Sequence, residues 1–171
     1  MSRNIMRKII ADSSSLILLY KCGAADYFFN CCCCIVPEAV MDELTAAGYA
    51  GSDFFRQCLI SGSITVTSHS GDPVLCEKLH KGERGVISLY KGGAGEYVLI
   101  DDGRGAAFCR DNSIPYINAL LAVKILFFSG KISEEDYTLM FAWLKSNGRY
   151  SSAVIDWAEN TGSEVLREFF L

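Results

Sequence analysis

The sequence predicts an α/β protein in which helices cover a parallel sheet on both faces. Three observations carry that expectation. Short apolar, β-prone runs alternate along the chain with longer segments of helical character. Acidic residues fall just after several of those runs, where an open parallel sheet forms its ligand crevice. Half of the 171 residues are apolar, which suits one large core and leaves no room for a second full domain.

Taken in order, Lys8 to Ala11 is the first strand, and it ends in Asp12. SSSLILLYKCG then reads as a helix, with serines to cap its start and Gly23 to stop it. The second strand is the cysteine run Cys31 to Cys34, continued by Ile35 and Val36. Pro37 is expected as the first residue of the helix PEAVMDELTAAG, where a missing N–H leaves nothing unpaired, and Gly48 is expected to end it. SDFFRQCLISG is helical and SITVTS is a third strand. Two helical pieces, DPVLCEKLHKG and GERGVISLYKGG, lead to the fourth strand, EYVLI, which ends in Asp101 and Asp102. The helix GRGAAFCRDN, the short strand PYIN and the helices ALLAVKILFFSG, SEEDYTLMFAWLKSNG and SSAVIDWAEN follow.

The four consecutive cysteines are not a metal cluster on this reading. Strand side chains alternate faces, so Cys31 and Cys33 point away from Cys32 and Cys34 and the four thiols cannot converge on one tetrahedral ion. Adjacent cysteines also form disulfides poorly, and no CxxC pair meets a second at zinc-site spacing. They are expected to be small buried hydrophobes in a reduced interior. The beginning MSRNIMRKIIAD reaches an aspartate too early for a secretory segment, and no apolar run attains the roughly 18 residues of a membrane span, so a cytoplasmic location is expected. The net charge of −4 gives no basic footprint, so a nucleic-acid substrate would need a local patch or a metal to hold it.

The acids locate the chemistry. Asp12 follows the first strand, Asp101 and Asp102 follow the fourth, Glu43 lies two turns into the helix after the second, and Glu83 opens the helix that feeds the fourth. Singly, each has a plain role: Asp12 and Asp102 as helix caps, Glu83 as a complement to a helix dipole, Glu43 as a solvated helix acid. Together they converge on one edge, and carboxylates so placed repel unless cations sit among them. Hard oxygen donors suit Mg²⁺ or Mn²⁺, and the implied chemistry is metal-assisted phosphoryl transfer. Arg104 and Arg110 follow the acidic pair and could face a phosphate, Arg104 from near a helix start, or could pair at the surface with a neighbouring acid.

Four segments recur in order: IADSSSLI at 10–17, PEAVMDEL at 37–44, GERGVI at 82–87 and LIDDGRGAA at 99–107. This set resembles the PIN-domain nucleases, and among them the VapC-like toxin relatives, over about residues 8–132. The resemblance implies a three-layer fold with a central five-stranded parallel sheet, the first strand in the middle. It implies a single domain over residues 1–171, with the nuclease core at about 8–132 and C-terminal helices at about 133–171. The implied activity is metal-dependent endonucleolytic cleavage of RNA, often as the toxin of a toxin–antitoxin pair. Carried over by position, the catalytic, metal-binding acids are Asp12, Glu43, Glu83 and Asp101, with Asp102 a further candidate ligand, Mg²⁺ or Mn²⁺ the cofactor and Ser13 a supporting group.

One segment departs from the family. Where the relatives carry a sequence like GTLGxLxxAKxxGxI, this chain has NALLAVKILFFSGKI from Asn118 to Ile132, with Ala119 in place of the threonine. Asn118 is the candidate to supply a polar group instead of the lost hydroxyl. The departure keeps open an alternative, a PIN-like binding module with impaired catalysis. A receiver-type phosphotransfer domain would need its acidic pair after the first strand, and a DxD phosphatase would need a second aspartate at Ser14. His69 and His80 fall in a loop and a polar helix end, with no catalytic arrangement legible around them. Phe127, Phe128, Tyr137, Phe141 and Trp143 recur near helical spacing and pack the last helices. The apolar surplus in FFN, FFSG and EFFL points to a partner, either a homodimer or an antitoxin helix.

Overall fold

Ile9 and Ile10 are both fully buried. Neighbours on a strand point to opposite faces, so both sides of this strand are covered. The computed structural model describes residues 6–49, 51–68 and 79–169. Five parallel strands, β1 (Arg7–Ala11), β2 (Cys32–Pro37), β3 (Ile64–Thr67), β4 (Tyr97–Leu99) and β5 (Tyr116–Ile117), form one sheet in the order β3-β2-β1-β4-β5. The chain winds outward from β1 through β2 to β3, then returns to build β4 and β5 on the other side. That reversal creates a switch point between β1 and β4, where a crevice opens at the carboxyl ends of the strands.

Helices fill the connections: α1 (Ser13–Cys22), α2 (Ala25–Phe29), α3 (Glu38–Leu44), α4 (Ser52–Ser61), α5 (Lys81–Lys91), α6 (Gly103–Asp111), α7 (Ala119–Phe128), α8 (Glu134–Asn147), α9 (Ser152–Asn160) and α10 (Ser163–Leu166). A short 3-10 turn, Arg167–Phe169, follows. α5 lies against β1, β2 and β4 beside α3, while α7 packs with α1, α2 and α8. Every residue of α7 from Ala119 to Leu126 is buried, the state demanded of a helix that is apolar on all sides. The buried Lys124 on this helix gives its ammonium to the Ala158 and Glu159 carbonyls, both at 2.7 Å. It thereby satisfies the carboxyl end of α9 and pins that helix to the core.

Several local expectations change in the folded chain. Pro37 closes β2 and serves as the N-cap of α3, not its first residue. α3 ends at Leu44, well before Gly48, because the Thr45 hydroxyl bonds back to Met41 O at 2.8 Å and Arg56 takes the Thr45 carbonyl at 2.7 Å. Phe28 and Phe29 of FFN are core residues, so that segment offers no surface to a partner. Phe127 stacks on Tyr137 at 4.8 Å, with Phe141 5.3 Å beyond, and these rings join α7 to α8 as their spacing predicts. The segment DPVLCEKLHKG up to Lys78, with Cys76, and His69 before it lie outside the described residues, as do the last two residues of EFFL.

The cysteine run follows the strand alternation. Cys32 and Cys34 are buried, with thiols that burial raises well above the ordinary value, whereas Cys33 is exposed and Cys31 half-buried. The expectation of four buried hydrophobes therefore holds for two of them. All seven cysteines among the described residues are free. Cys33 should react with a thiol dye within seconds to minutes, Cys31 more slowly, and Cys32 and Cys34 only on unfolding, as followed by mass spectrometry of labelled peptides.

Candidate active site

All five strands end on one edge, and hydrogen bonds beyond the strands carry the acids to it. The Asp12 N–H donates to Leu99 O at 2.9 Å, which seats Asp12 beside the end of β4. The Ile100 N–H donates to Ile117 O at 2.9 Å, which delivers Asp101 and Asp102 to the same edge. Glu43 reaches it from the last turn of α3, where it accepts the Ser13 hydroxyl. Glu83 reaches it from the first turn of α5 and accepts the His80 N–H at 2.8 Å.

Asp12, Glu43, Glu83 and Asp102 thus line one cavity of about 450 Å³. Ser14 donates to Asp12 Oδ2 at 2.7 Å, and Asp12 makes no capping bond to α1 although it occupies the N-cap. Asp102 does cap its helix, accepting from the Arg104 and Gly105 N–H groups at 2.9 and 3.3 Å. Gly82 keeps the floor open: a Cβ there would stand 3.4 Å from Asp12 Oδ1 and 3.5 Å from Glu43 Oε1.

The carboxylates crowd one another electrostatically. Burial raises the Asp12 pKa and the Glu43 charge raises it further, against the Ser14 hydroxyl. Burial pushes Glu83 up to about 7, helped by its bond to Asp102 and by the Asp12 charge. Asp102 moves down instead, chiefly because Glu83 donates to it. Glu83 is therefore the member of the pair that takes up a proton first as pH falls.

Asp101 is not brought into this cavity; it lines two adjoining hollows. Its carboxylate accepts the Ala119 N–H at 3.2 and 3.0 Å and the Tyr150 hydroxyl. The Ala119 donor is a backbone group, so replacement of threonine at this position leaves that bond intact. Burial raises the Asp101 pKa, and Tyr150 and Ala119 hold it down. Asn118 caps α7, its amide oxygen accepting the Leu121 N–H at 2.9 Å. Arg104 is exposed and does not line the cavity, but its guanidinium donates to His80 Nε2 and lies 4.0 Å from Asp102, both of which do. Arg110 is exposed and 3.8 Å from Asp111.

Two residues escape the sequence reading. His80, expected in a plain helix end, stands at the cavity with its N–H on Glu83; its place just before the GERGVI segment is the one signal that could have found it. Tyr150 bonds Asp101 from 49 residues away and carries no local signal.

A family model described as a PIN domain matches residues 8–159. The chain belongs to the PIN-domain family. PIN domains are generally nucleases, and the nuclease-type fold expected from the motifs is the fold observed. The match runs past residue 132 into α9, so the loop that carries Tyr150 is part of this PIN domain. No curated protein and no solved structure matches the chain. Among the described residues no helix is long and apolar enough to cross a membrane.

The donor chemistry of this PIN-domain cavity fits a hard divalent cation, since its acids are oxygen donors set around a floor that Gly82 leaves clear. Among the described residues, no three His, Cys, Asp or Glu side chains stand together in a group that could hold a metal ion. Mg²⁺ does not demand one: it keeps several waters and takes one or two carboxylates plus substrate phosphates.

Because the folded state favours protonated Glu83, its contribution to stability is whole below its ordinary value of 4.5 and is lost as pH rises through about 7. With a chelator present, the protein should lose stability on the order of 2 kcal/mol between pH 5 and 8. Glu83→Gln should flatten that loss in thermal melts; a slope equal to wild type would remove Glu83 as its cause.

Proposed function

We propose that this PIN-domain protein is a metal-dependent endoribonuclease hydrolysing phosphodiester bonds at the acidic cavity, with Asp12, Glu43, Glu83 and Asp102 holding Mg²⁺ or Mn²⁺. The crowding of these four acids at the β1–β4 switch point supports it. Two of these acids have raised pKa values, and a cation in the cavity would favour their charged forms. When bound, such an ion supplies positive charge for a phosphate and lowers the pKa of a water it carries.

The chain's own part is positioning. Ser13 fixes Glu43, Ser14 fixes Asp12, the His80 N–H fixes Glu83, and the start of α6 fixes Asp102. We assign Asp101, whose carboxylate is already held by Ala119 and Tyr150, to tying β4, α7 and the α8–α9 loop together behind the cavity. On this reading residues 8–132 form the nuclease core of one domain over 1–171, and the C-terminal helices brace it.

The departure from the family at Asn118–Ile132, with Ala119 in place of the threonine, carries a second reading, a PIN-like binding module with impaired catalysis. Incubation with RNA and Mn²⁺ separates the two. Wild type should cleave, and Asp12→Asn should lose at least about 100-fold in rate; equal rates would sink the nuclease assignment. In calorimetry Asp102→Asn should weaken Mn²⁺ about tenfold and Asp101→Asn by no more than about twofold. The reverse order would return Asp101 to the metal.

The toxin role belongs to the same reading and is supported by the VapC-like motifs. Expression should then arrest growth, and the product of a small adjacent reading frame should relieve it. Arrest that persists with Asp12→Asn would count against a nuclease toxin.

A further inference from the structure

The acidic cavity does not stand alone. A hollow of about 380 Å³ shares Ser14 and Asp102 with it. That hollow shares Asp101, Gly103, Arg149 and Tyr150 with a third, of about 590 Å³, which runs past β5 to α9. The three adjoin one another along the carboxyl edge of the sheet, from Asp12 to Trp157.

The row of hollows changes character along its length. Its near end is carboxylate; its far end is walled by the rings of Tyr116, Tyr150 and Trp157 and edged by Arg110 and Arg149. Trp157 is 45% exposed, yet it sits on a helix that buried Lys124 pins to the core. Its exposure is therefore not a frayed end. Arg149 makes no ion pair among the described residues. It stands where the second and third hollows join, a free cation between a carboxylate cluster and an aromatic wall.

We propose that the third hollow is a nucleotide subsite, which takes an unpaired base of single-stranded RNA against Trp157 while Arg149 and Arg110 bind the phosphates on either side. The choice of RNA rests on the nuclease reading. The chemistry is that of single-strand recognition: an aromatic face accepts any base by stacking, and arginines track the backbone. The hollow falls within the roughly 300–1,000 Å³ of small-ligand sites, enough for one nucleotide. A duplex cannot present a base there without flipping it out, so the subsite selects unpaired substrate. Metal-bound chemistry at one end and base capture at the other would fix the strand's register on the enzyme.

The test uses the full chain carrying Asp12→Asn, in a chelator, so that nothing is cleaved. The protein has two tryptophans, and Trp143→Phe leaves Trp157 as the only reporter. A short single-stranded oligoribonucleotide should quench Trp157 fluorescence saturably, and the same sequence as a duplex should not. By anisotropy of a labelled strand, Trp157→Ala should weaken binding about tenfold, Trp157→Tyr should restore most of it, and Arg149→Gln should weaken it and lower its salt dependence. Absence of quenching, or equal affinity for single strand and duplex, would overturn the subsite, as would unchanged affinity in both Trp157→Ala and Arg149→Gln. The nuclease reading fails separately: wild-type protein that quenches with RNA but does not cleave it in Mn²⁺ keeps the subsite and loses the catalysis.

Discussion

The bond from the Asp12 N–H to Leu99 O joins the ends of β1 and β4, and the acidic edge of the sheet is organised around it. Parallel strands need long crossovers, and the crossovers here are helices that start at the carboxyl edge. The helix starts at that edge therefore bring their first residues to the same place. Asp12 before α1, Glu83 in the first turn of α5 and Asp102 before α6 share a cavity because the strands share a direction.

That convergence is costly, and neighbouring donors moderate the cost. Ser13 and Ser14 bind two of the carboxylates, and backbone N–H groups bind the other two. Close approach is needed as well. A Cβ on Gly105 would fall 2.2 Å from Ile100 Cδ1, so glycine lets the start of α6 lie against the end of β4, with Asp102 near Glu83, without displacing the Ile100 side chain. The result is a preformed acidic cavity in which each carboxylate is held by a donor.

The C-terminal helices are part of this design. Tyr150 reaches Asp101 from the α8–α9 loop, and Lys124 fastens the end of α9 to α7. Asp101 therefore couples the end of β4 to a segment that the motifs in the sequence do not include. The acidic cavity and the aromatic hollow are two ends of one edge, held at a fixed separation by these contacts.

Much of this was legible in the chain. Alternating strand and helix patterns, Asp12, Glu43, Glu83 and the Asp101–Asp102 pair could be read directly, because strand period, caps and the carboxyl-edge rule act over a few residues. The alternation of the cysteine run followed from the same period, but which thiols are covered depended on the helices that pack on β2. The sequence could not choose between Asp101 and Asp102. They are adjacent and chemically identical, and the choice of cavity fell to partners 18 or more residues away: Glu83 on one side, Ala119 and Tyr150 on the other. Local patterns determined which residues reach the carboxyl edge. Long-range packing alone decided which way each carboxylate faces, because that direction is set by donors from other elements.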